Sequence, residues 1–295
     1  MSIYDSQYLN DMISGDRIKL SKLLTSVENG LSLDLDNYLE NGNHVEKWGV
    51  TGPPGAGKST LVDKIVENRL SRNQKVAVLA VDPSSPLTGG ALLGDRLRLS
   101  NADDHESVYF RSMSTRGNSN AIPSRIGSMI DVLSVAGFET IIVETVGSGQ
   151  AEVQICSVAD RILLVESPIS GDIIQAEKAG VMEISDIIVV NKSDLEGAEQ
   201  KLSQIRSSLE FGNSETPPVV LVSAITGEGI SDLITAMDQT EPSTKSVRAR
   251  WIARLSAEWH SSLILNPNYE SVVEGLCNGD LDMKSALNKF QRWSK

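Results

Sequence analysis

Residues 52–59 read Gly52-Pro53-Pro54-Gly55-Ala56-Gly57-Lys58-Ser59 and match the phosphate-binding loop pattern Gly-x4-Gly-Lys-Ser. An apolar strand ending in Trp48-Gly49-Val50 precedes the loop, and an amphipathic helical pattern follows it. Glycines let backbone N–H groups turn onto phosphate oxygens, and the positive end of the following helix points at the same anion. The predicted nucleotide contacts of this loop are Gly52, Pro53, Gly55, Ala56, Gly57, Lys58, Ser59 and Thr60.

Beyond this loop, short runs rich in Val and Ile alternate with longer amphipathic segments. The runs cover residues 76–81, 140–143, 162–165, 187–190 and 219–222. Continuous apolar runs are typical of strands buried on both faces of a parallel sheet. The alternation predicts an α/β fold with a doubly wound, mostly parallel sheet, whose ligands bind at the carboxyl ends of the strands.

The two ends of the chain carry helical patterns and few strand signals. We predict an N-terminal helical extension over residues 1–43, a nucleotide-binding domain over 44–240 and a C-terminal helical arm over 241–295. In the arm, Val247, Trp251, Leu255, Trp259 and Leu263 recur every four residues and form one apolar stripe. The stripe fits either a dimer contact or packing on the core.

Composition narrows the partners of the 295-residue chain. Its formal net charge of −12 disfavours nucleic acid and anionic membranes, because neither gains electrostatic energy from an acidic surface. Two cysteines, Cys156 and Cys277, make no disulfide framework, and no apolar run is long enough to span a membrane. With no signal peptide pattern at the start, we expect a cytoplasmic protein that binds neither nucleic acid nor membrane.

A second motif predicts which base is bound. Asn191-Lys192-Ser193-Asp194 follows the apolar run 187–190. A carboxylate at Asp194 accepts from both N1–H and N2–H₂ of guanine, whereas adenine offers neither donor and would leave the buried carboxylate unpaired. A backbone N–H near Ser223-Ala224 can reach guanine O6. The predicted base contacts are Asn191, Lys192, Asp194, Ser223, Ala224 and Ile225. The alternative interpretation of residues 191–194 is a plain helix cap.

Acidic residues at strand ends suit magnesium, which prefers oxygen ligands. Glu144 ends one run and opens Glu144-Thr145-Val146-Gly147, where the Gly147 backbone N–H can sense the γ-phosphate. The predicted Mg²⁺ ligands are Ser59, Asp82, Asp95 and Glu144. Lys58 supplies charge at the β/γ oxygens. Gln150 and Lys178 are the other catalytic candidates, although Gln150 lies three residues beyond Gly147 and Lys178 fits a surface lysine equally well.

Several of these stretches together resemble one family, the MeaB/ArgK-type P-loop GTPases. They are residues 52–60, 82–96, 111–117, 144–150 and 191–194. Members are chaperones of adenosylcobalamin-dependent acyl-CoA mutases such as methylmalonyl-CoA mutase. The resemblance covers essentially the whole chain and is weakest after about residue 245.

The resemblance implies a homodimer joined by the C-terminal helices, which binds GTP, GDP and Mg²⁺. It implies that Asp82, Asp95 and Glu144 bind metal and that Lys178 lies in a third switch loop. It also implies a GTPase that gates cofactor loading and protects or reactivates the mutase. Cobalamin itself is expected on the partner.

The sequence departs from the family near the switches. Residues 118–121 are Asn-Ser-Asn-Ala where two glycines are usual, Ser148 and Ala151 replace Val and Ser, and 167–170 read Ser-Pro-Ile-Ser. These changes leave the nucleotide motifs intact. They motivate the hypothesis that the client is a mutase other than methylmalonyl-CoA mutase.

Three other functions compete with this interpretation. A nickel-insertion GTPase needs clustered His or Cys ligands, but His44, His105 and His260 are far apart in the sequence. A small-molecule kinase using ATP conflicts with the carboxylate of Asp194, and no acceptor-binding pattern is visible. An ATPase of the partitioning class would carry a Lys early in the phosphate loop, where this chain has Pro53.

Overall fold

The structure, a computed structural model, describes ten stretches of the chain. They are residues 4–40, 44–82, 106–114, 122–123, 125–145, 154–169, 176–210, 216–242, 244–264 and 266–291. Within them, parallel strands form one sheet in the order β3-β2-β4-β1-β5-β6-β7. The strands are β1 (Glu46–Thr51), β2 (Val76–Asp82), β3 (Val108–Ser114), β4 (Thr140–Thr145), β5 (Arg161–Glu166), β6 (Ile187–Val190) and β7 (Val219–Leu221). The predicted parallel α/β sheet is confirmed.

Helices flank the sheet and extend both ends of the described chain. They are α1 (Ser6–Ile13), α2 (Arg17–Glu28), α3 (Asp36–Glu40), α4 (Lys58–Ser71), α5 (Ile126–Val135), α6 (Ala176–Ile184), α7 (Ala198–Glu210), α8 (Ile230–Gln239), α9 (Thr244–Ile264), α10 (Tyr269–Cys277) and α11 (Met283–Gln291). A short 3₁₀ turn covers Ile155–Ser157. No described helix is both long and apolar enough to cross a membrane. The helical termini agree with the prediction, while the domain boundaries at 43 and 240 stay predictions.

Neighbouring residues of each strand are buried on opposite faces of the sheet. On β4, Ile141 and Val143 pack with α1, α2 and α5, whereas Ile142 packs with α4 and α8. All three side chains are fully buried. Each such burial contributes roughly 1.5–3 kcal/mol, so both layers of helices are held mainly by apolar contact with the sheet.

The N-terminal helices pack against the edge of the sheet that ends in β3. Leu23 and Leu24 of α2 are fully buried. Arg111 of β3 makes a 2.5 Å ion pair with Glu28, and Arg17 donates to the Val108 carbonyl. Strand β3 was not among the predicted strands, because its sequence Val-Tyr-Phe-Arg-Ser-Met-Ser mixes polar and apolar residues as exposed edge strands do.

A network of charges joins elements at the amino-terminal edge of the sheet. Arg69, near the end of α4, lies 3.1 Å from Glu46 of β1 and 2.7 Å from Asp238 of α8. Arg72 makes a second, 2.6 Å contact with Asp238. Desolvation alone would raise the pKa of Asp238, but the hydrogen bonds from the two arginines outweigh it and lower the pKa.

The first half of α9 is fixed to the domain by a buried polar cluster. Asp186 accepts hydrogen bonds from Ser246 (2.9 Å), from Arg250 (3.0 Å) and from the backbone N–H of Ile162 (2.7 Å). One turn further, Arg254 donates to the Ser157 carbonyl at 3.2 Å. The arm therefore begins as part of the domain, and its exposed apolar residues lie on another face.

Candidate functional site

The phosphate loop connects β1 to α4 at the carboxyl edge of the sheet. Gly52 has a φ of +138°, and a Cβ added there would lie 2.0 Å from the Val165 carbonyl oxygen. Only glycine therefore allows the loop to pack this closely on β5. Gly57, with a φ of +88°, is the N-cap of α4 without a capping side chain, so the positive end of the helix points into the loop.

Lys58 places its ammonium group inside this loop. Its side chain donates to the carbonyl oxygens of Gly52 (2.7 Å) and Pro53 (2.9 Å), and only 6% of the residue is exposed. A cation held at the concave side of a backbone loop attracts phosphate oxygens. The Lys58 ammonium group therefore lies within the loop, and the predicted phosphate contacts stay predictions.

The base loop, which we define as residues 191–197, lies beside the phosphate loop. The Ser193 N–H donates to the Val222 carbonyl (2.9 Å), and Ser223 Oγ donates to Asp194 Oδ1 (2.6 Å). Asp194 itself is exposed and Ser223 is fully buried. The predicted partners Asp194 and Ser223 are thus in direct contact, with the carboxylate open to a ligand.

Asn191 joins three loops of the site through one side chain. Its Nδ2 donates to the carbonyls of Ala56 (2.9 Å) and Gly57 (3.3 Å), and its Oδ1 accepts from the N–H of Ala224 (3.1 Å). Only 2% of the residue is exposed. A Cβ added at Gly57 would lie 2.4 Å from Asn191 Nδ2, so the phosphate loop and the base loop pack without spare room.

Two side-chain oxygen atoms that could bind a metal ion lie close together at the start of α4. Ser59 Oγ donates to Glu144 Oε1 at 2.6 Å, and 9% of Glu144 is exposed. In the sheet register, Glu144 of β4 lies between Ala80 of β2 and Val50 of β1. A hydroxyl and a carboxylate oxygen are ligands that Mg²⁺ accepts, so this pair fits the predicted metal site.

Some predicted residues cannot be placed. Asp95, Gly147 and Gln150 lie outside the described residues, as do the side chains of Asp82 and Lys178. The backbone of Asp82 ends β2 at the same edge of the sheet as Glu144. In the described part of the chain, no group of three His, Cys, Asp or Glu side chains can hold a metal ion. The roles of these five residues, like those of the other predicted site residues, stay predictions.

The two cysteines differ in environment. Cys156 is 1% exposed, and desolvation raises the pKa of its thiol to about 12 although Arg250 lowers it in part. Cys277 is exposed. A thiol with so high a pKa is not a nucleophile at neutral pH, so Cys156 contributes packing.

Sequence reasoning missed one buried charge pair behind the base loop. Lys201 Nζ lies 3.4 Å from Glu166 Oε2, with side-chain exposures of 6% and 5%. Glu166 is the last residue of β5, and Lys201 is in the first turn of α7. The helix carries several other charged residues, among them Glu199 and Arg206, so no local pattern in the sequence marks this pair.

Comparison with known proteins shows relatives over most of the chain. A family model described as methylmalonyl-CoA mutase-associated GTPase MeaB matches residues 20–267. A protein of Pyrococcus horikoshii named as a GTPase is 43% identical over 230 residues, which are 74% of this chain and 72% of that protein. The fused isobutyryl-CoA mutase of Cupriavidus metallidurans is 34% identical over 217 residues, 70% of this chain and 20% of the mutase.

A solved structure named LAO/AO transport system kinase has a similar fold. Its TM-score is 0.64, its sequence identity is 23%, and the match covers 99% of this chain and 98% of that one. At this identity the likeness concerns the fold, and a shared fold does not establish a shared activity.

Proposed function

Because this chain belongs to the MeaB family of GTPases, we propose that it is a GTP-driven chaperone of an adenosylcobalamin-dependent acyl-CoA mutase. The family description names GTP hydrolysis and an association with methylmalonyl-CoA mutase. The chain is therefore a GTPase that binds GTP and GDP.

Guanine selection is assigned to Asp194. Its exposed carboxylate, fixed by Ser223 Oγ at 2.6 Å, accepts hydrogen bonds from guanine N1–H and N2–H₂. Adenine would cover this carboxylate without offering it a donor, at a cost of ~1–3 kcal/mol. Lys192 and Ile225 are assigned to the sides of the base, and guanine O6 to a backbone N–H of the segment that follows Ser223; the Ala224 N–H itself donates to Asn191 Oδ1. Asn191 holds the phosphate loop in register with these contacts.

Magnesium binding is assigned to Ser59 and Glu144, with Asp82 and Asp95 as further ligands. When bound, Mg²⁺ neutralises charge that builds up on the β- and γ-phosphate oxygens during hydrolysis. The contact between Ser59 Oγ and Glu144 Oε1 supports this role, because it brings two suitable oxygens together.

The catalytic step is assigned to residues that position water and stabilise charge. Lys58 acts on the β/γ oxygens from within the phosphate loop. Gly147 senses the γ-phosphate, Gln150 orients the attacking water and Lys178 responds to the nucleotide in the third switch. Isolated GTPases are slow until a partner completes the site, so we expect a low intrinsic rate that the client raises.

The fused relative supports a mutase as client and is the observation on which this part of the proposal depends. Over 217 residues, this chain is 34% identical to part of a protein named fused isobutyryl-CoA mutase. Covalent fusion keeps two proteins at a high effective concentration, which benefits proteins that act on each other. In this role the GTP cycle gates adenosylcobalamin loading and protects or reactivates the mutase.

A homodimer is proposed through the arm. On α9, the residues Trp251, Leu255 and Trp259 follow one another at four-residue spacing and are 59%, 69% and 66% exposed. Large apolar side chains exposed in one stripe mark interaction surfaces. The same stripe on a second copy is self-complementary, as a two-fold interface requires.

The client can be identified by capture and by stimulation. Immobilised protein loaded with GDP or with a non-hydrolysable GTP analogue is incubated with purified methylmalonyl-CoA mutase and isobutyryl-CoA mutase in turn. We expect nucleotide-dependent capture of one mutase and faster GTP hydrolysis in its presence. The variant Asp194→Asn, which loses guanine selectivity, should lose both responses.

The sequence departures near the switches favour a client other than methylmalonyl-CoA mutase. Selective capture of methylmalonyl-CoA mutase would refute the hypothesis that the client is another mutase. If no acyl-CoA mutase binds the protein or stimulates its GTP hydrolysis, the chaperone role is refuted. Nickel delivery would instead require a stored metal ion, and metal analysis of the purified protein tests that alternative.

A further inference from the structure

The buried ion pair Glu166–Lys201 is unusual for its surroundings. Both side chains are almost completely buried, at 5% and 6% exposure, with 3.4 Å between the ammonium nitrogen and a carboxylate oxygen. Charged side chains are rarely buried this deeply unless they are paired. A pair of apolar residues of similar size often stabilises a protein as well as or better than such an ion pair. Stability alone therefore does not explain it.

The pair connects the two ends of the base loop. At the first end, the N–H of Asn191 donates to the backbone carbonyl of Glu166 at 2.8 Å. At the other end, the N–H of Lys201 donates to the carbonyl of Gly197 at 2.9 Å. The ion pair between Glu166 and Lys201 closes this arrangement into a ring. The two residues that hold the ends of the base loop, Glu166 and Lys201, are thus joined to each other by their side chains.

Between its ends the loop is held at two points, where the Ser193 N–H donates to the Val222 carbonyl and where Ser223 donates to the Asp194 carboxylate. A Cβ added at Gly197 would be 3.8 Å from the Pro168 side chain, so the end of the loop lies beside the segment after β5 without a close contact there. Lys192 has a φ of +64°, which costs free energy for a residue with a side chain. Asp194 is exposed and is held at its carboxylate by Ser223. Its position therefore depends on how firmly the two ends are fixed.

We propose that the Glu166–Lys201 pair is a positioning pair for base selection. It fixes the separation of the loop ends so that Asp194 meets both donors of guanine at once, and it touches neither the base nor the phosphates. A fixed separation reduces the number of loop conformations that must be given up when the base binds. This inference depends on the proposed contact between Asp194 and guanine.

The test compares nucleotides that differ only at the base. IDP lacks the 2-amino group of guanine, so the ratio of the dissociation constants of IDP and GDP reports how well Asp194 is placed. In Lys201→Met and in Glu166→Gln we expect this ratio to fall about tenfold. The dissociation constant for IDP should change less than threefold, because the phosphate contacts are unchanged.

Matched variants separate positioning from stability. Glu199→Gln removes an exposed carboxylate from the same turn of α7 and should leave the ratio unchanged. Thermal unfolding of each variant sets an assay temperature at which the protein is fully folded. If Lys201→Met does not fold, Glu166→Gln, which preserves side-chain shape, decides the outcome.

Two results would overturn the inference. One is an equal loss of affinity for GDP and IDP, and the other is a lower unfolding temperature with an unchanged ratio. Either would mean that the pair is structural only. A different result, an unchanged ratio in Asp194→Asn, would refute the guanine contact itself and with it the proposed function.

Discussion

Replacing Asn191 with Ala removes the side chain that joins the phosphate loop to the base loop. The change breaks the hydrogen bonds to the Ala56 carbonyl (2.9 Å), to the Gly57 carbonyl (3.3 Å) and from the Ala224 N–H (3.1 Å). Because Asn191 is 2% exposed, water does not replace these bonds while the loops stay together. A buried polar group left without a partner costs about 1–3 kcal/mol.

Two such groups, the Ala56 carbonyl and the Ala224 N–H, give a total of about 3 kcal/mol. In the free protein the loops can separate slightly and admit water, which reduces the loss of stability. Nucleotide binding brings the loops together again and restores the full cost. We therefore expect the dissociation constants of GDP and GTP to rise about 100-fold.

Isothermal titration with GDP, with Mg²⁺ present, measures this change directly. The same substitution at Asn288, an exposed residue of α11, is the control and should leave affinity unchanged. Asn191→Asp keeps the shape but turns a carboxylate oxygen toward the Ala56 carbonyl, so it should bind at least as weakly as Asn191→Ala. A dissociation constant for Asn191→Ala within threefold of the unmodified protein would refute the reasoning.

Packing and charge give three further predictions. Gly52→Ala should weaken GDP binding by about 100-fold or more, since its Cβ would meet the Val165 carbonyl oxygen at 2.0 Å; normal affinity in the same titration would contradict this. At pH 8 a thiol reagent should modify Cys277 alone in the folded protein and Cys156 only after denaturation, because burial raises the pKa of Cys156 to about 12; two reactive thiols in the folded state would disprove it. The lowered pKa of Asp238 means that its carboxylate stabilises the fold above the unfolded pKa of about 4 and that this contribution is lost as the pH falls through the folded value. Asp238→Asn should therefore lower the free energy of unfolding by about 1 kcal/mol at pH 7 and by progressively less below pH 4. Urea unfolding of both proteins at pH 7 and below pH 4 measures this, and a difference in unfolding free energy that does not change with pH would contradict it.

The strands next to the nucleotide could be predicted because they are buried on both faces. Continuous Val and Ile runs at 140–143 and 187–190 lie within β4 and β6. Strand β3 escaped detection because it lies at the sheet edge, where polar side chains such as Arg111 reach the N-terminal helices. The sequence shows burial of a strand on both faces more clearly than it shows position at an edge.

At the candidate site, the sequence predicts residues where backbone geometry or base recognition demands particular types, and their roles stay predictions. Backbone geometry requires glycine at positions 52 and 57, and recognition of guanine requires a carboxylate at Asp194. The structure brings the loops that carry these residues together. The bonds of Asn191 to the phosphate loop and the contact of Glu166 with Lys201 depend on folding between distant parts of the chain. No local pattern encodes them. Gln150 lies outside the described residues, so its role is still a prediction from sequence alone.

The salt bridges of Arg69 limit how the molecule can respond to its ligand. Since the tail of α4 is anchored to β1 and α8, that helix cannot slide along its axis when the γ-phosphate leaves. Movement that accompanies GTP hydrolysis is then expected in the loops at the opposite, carboxyl edge of the sheet. We therefore expect a partner that distinguishes GTP from GDP to contact that edge rather than the anchored end of α4.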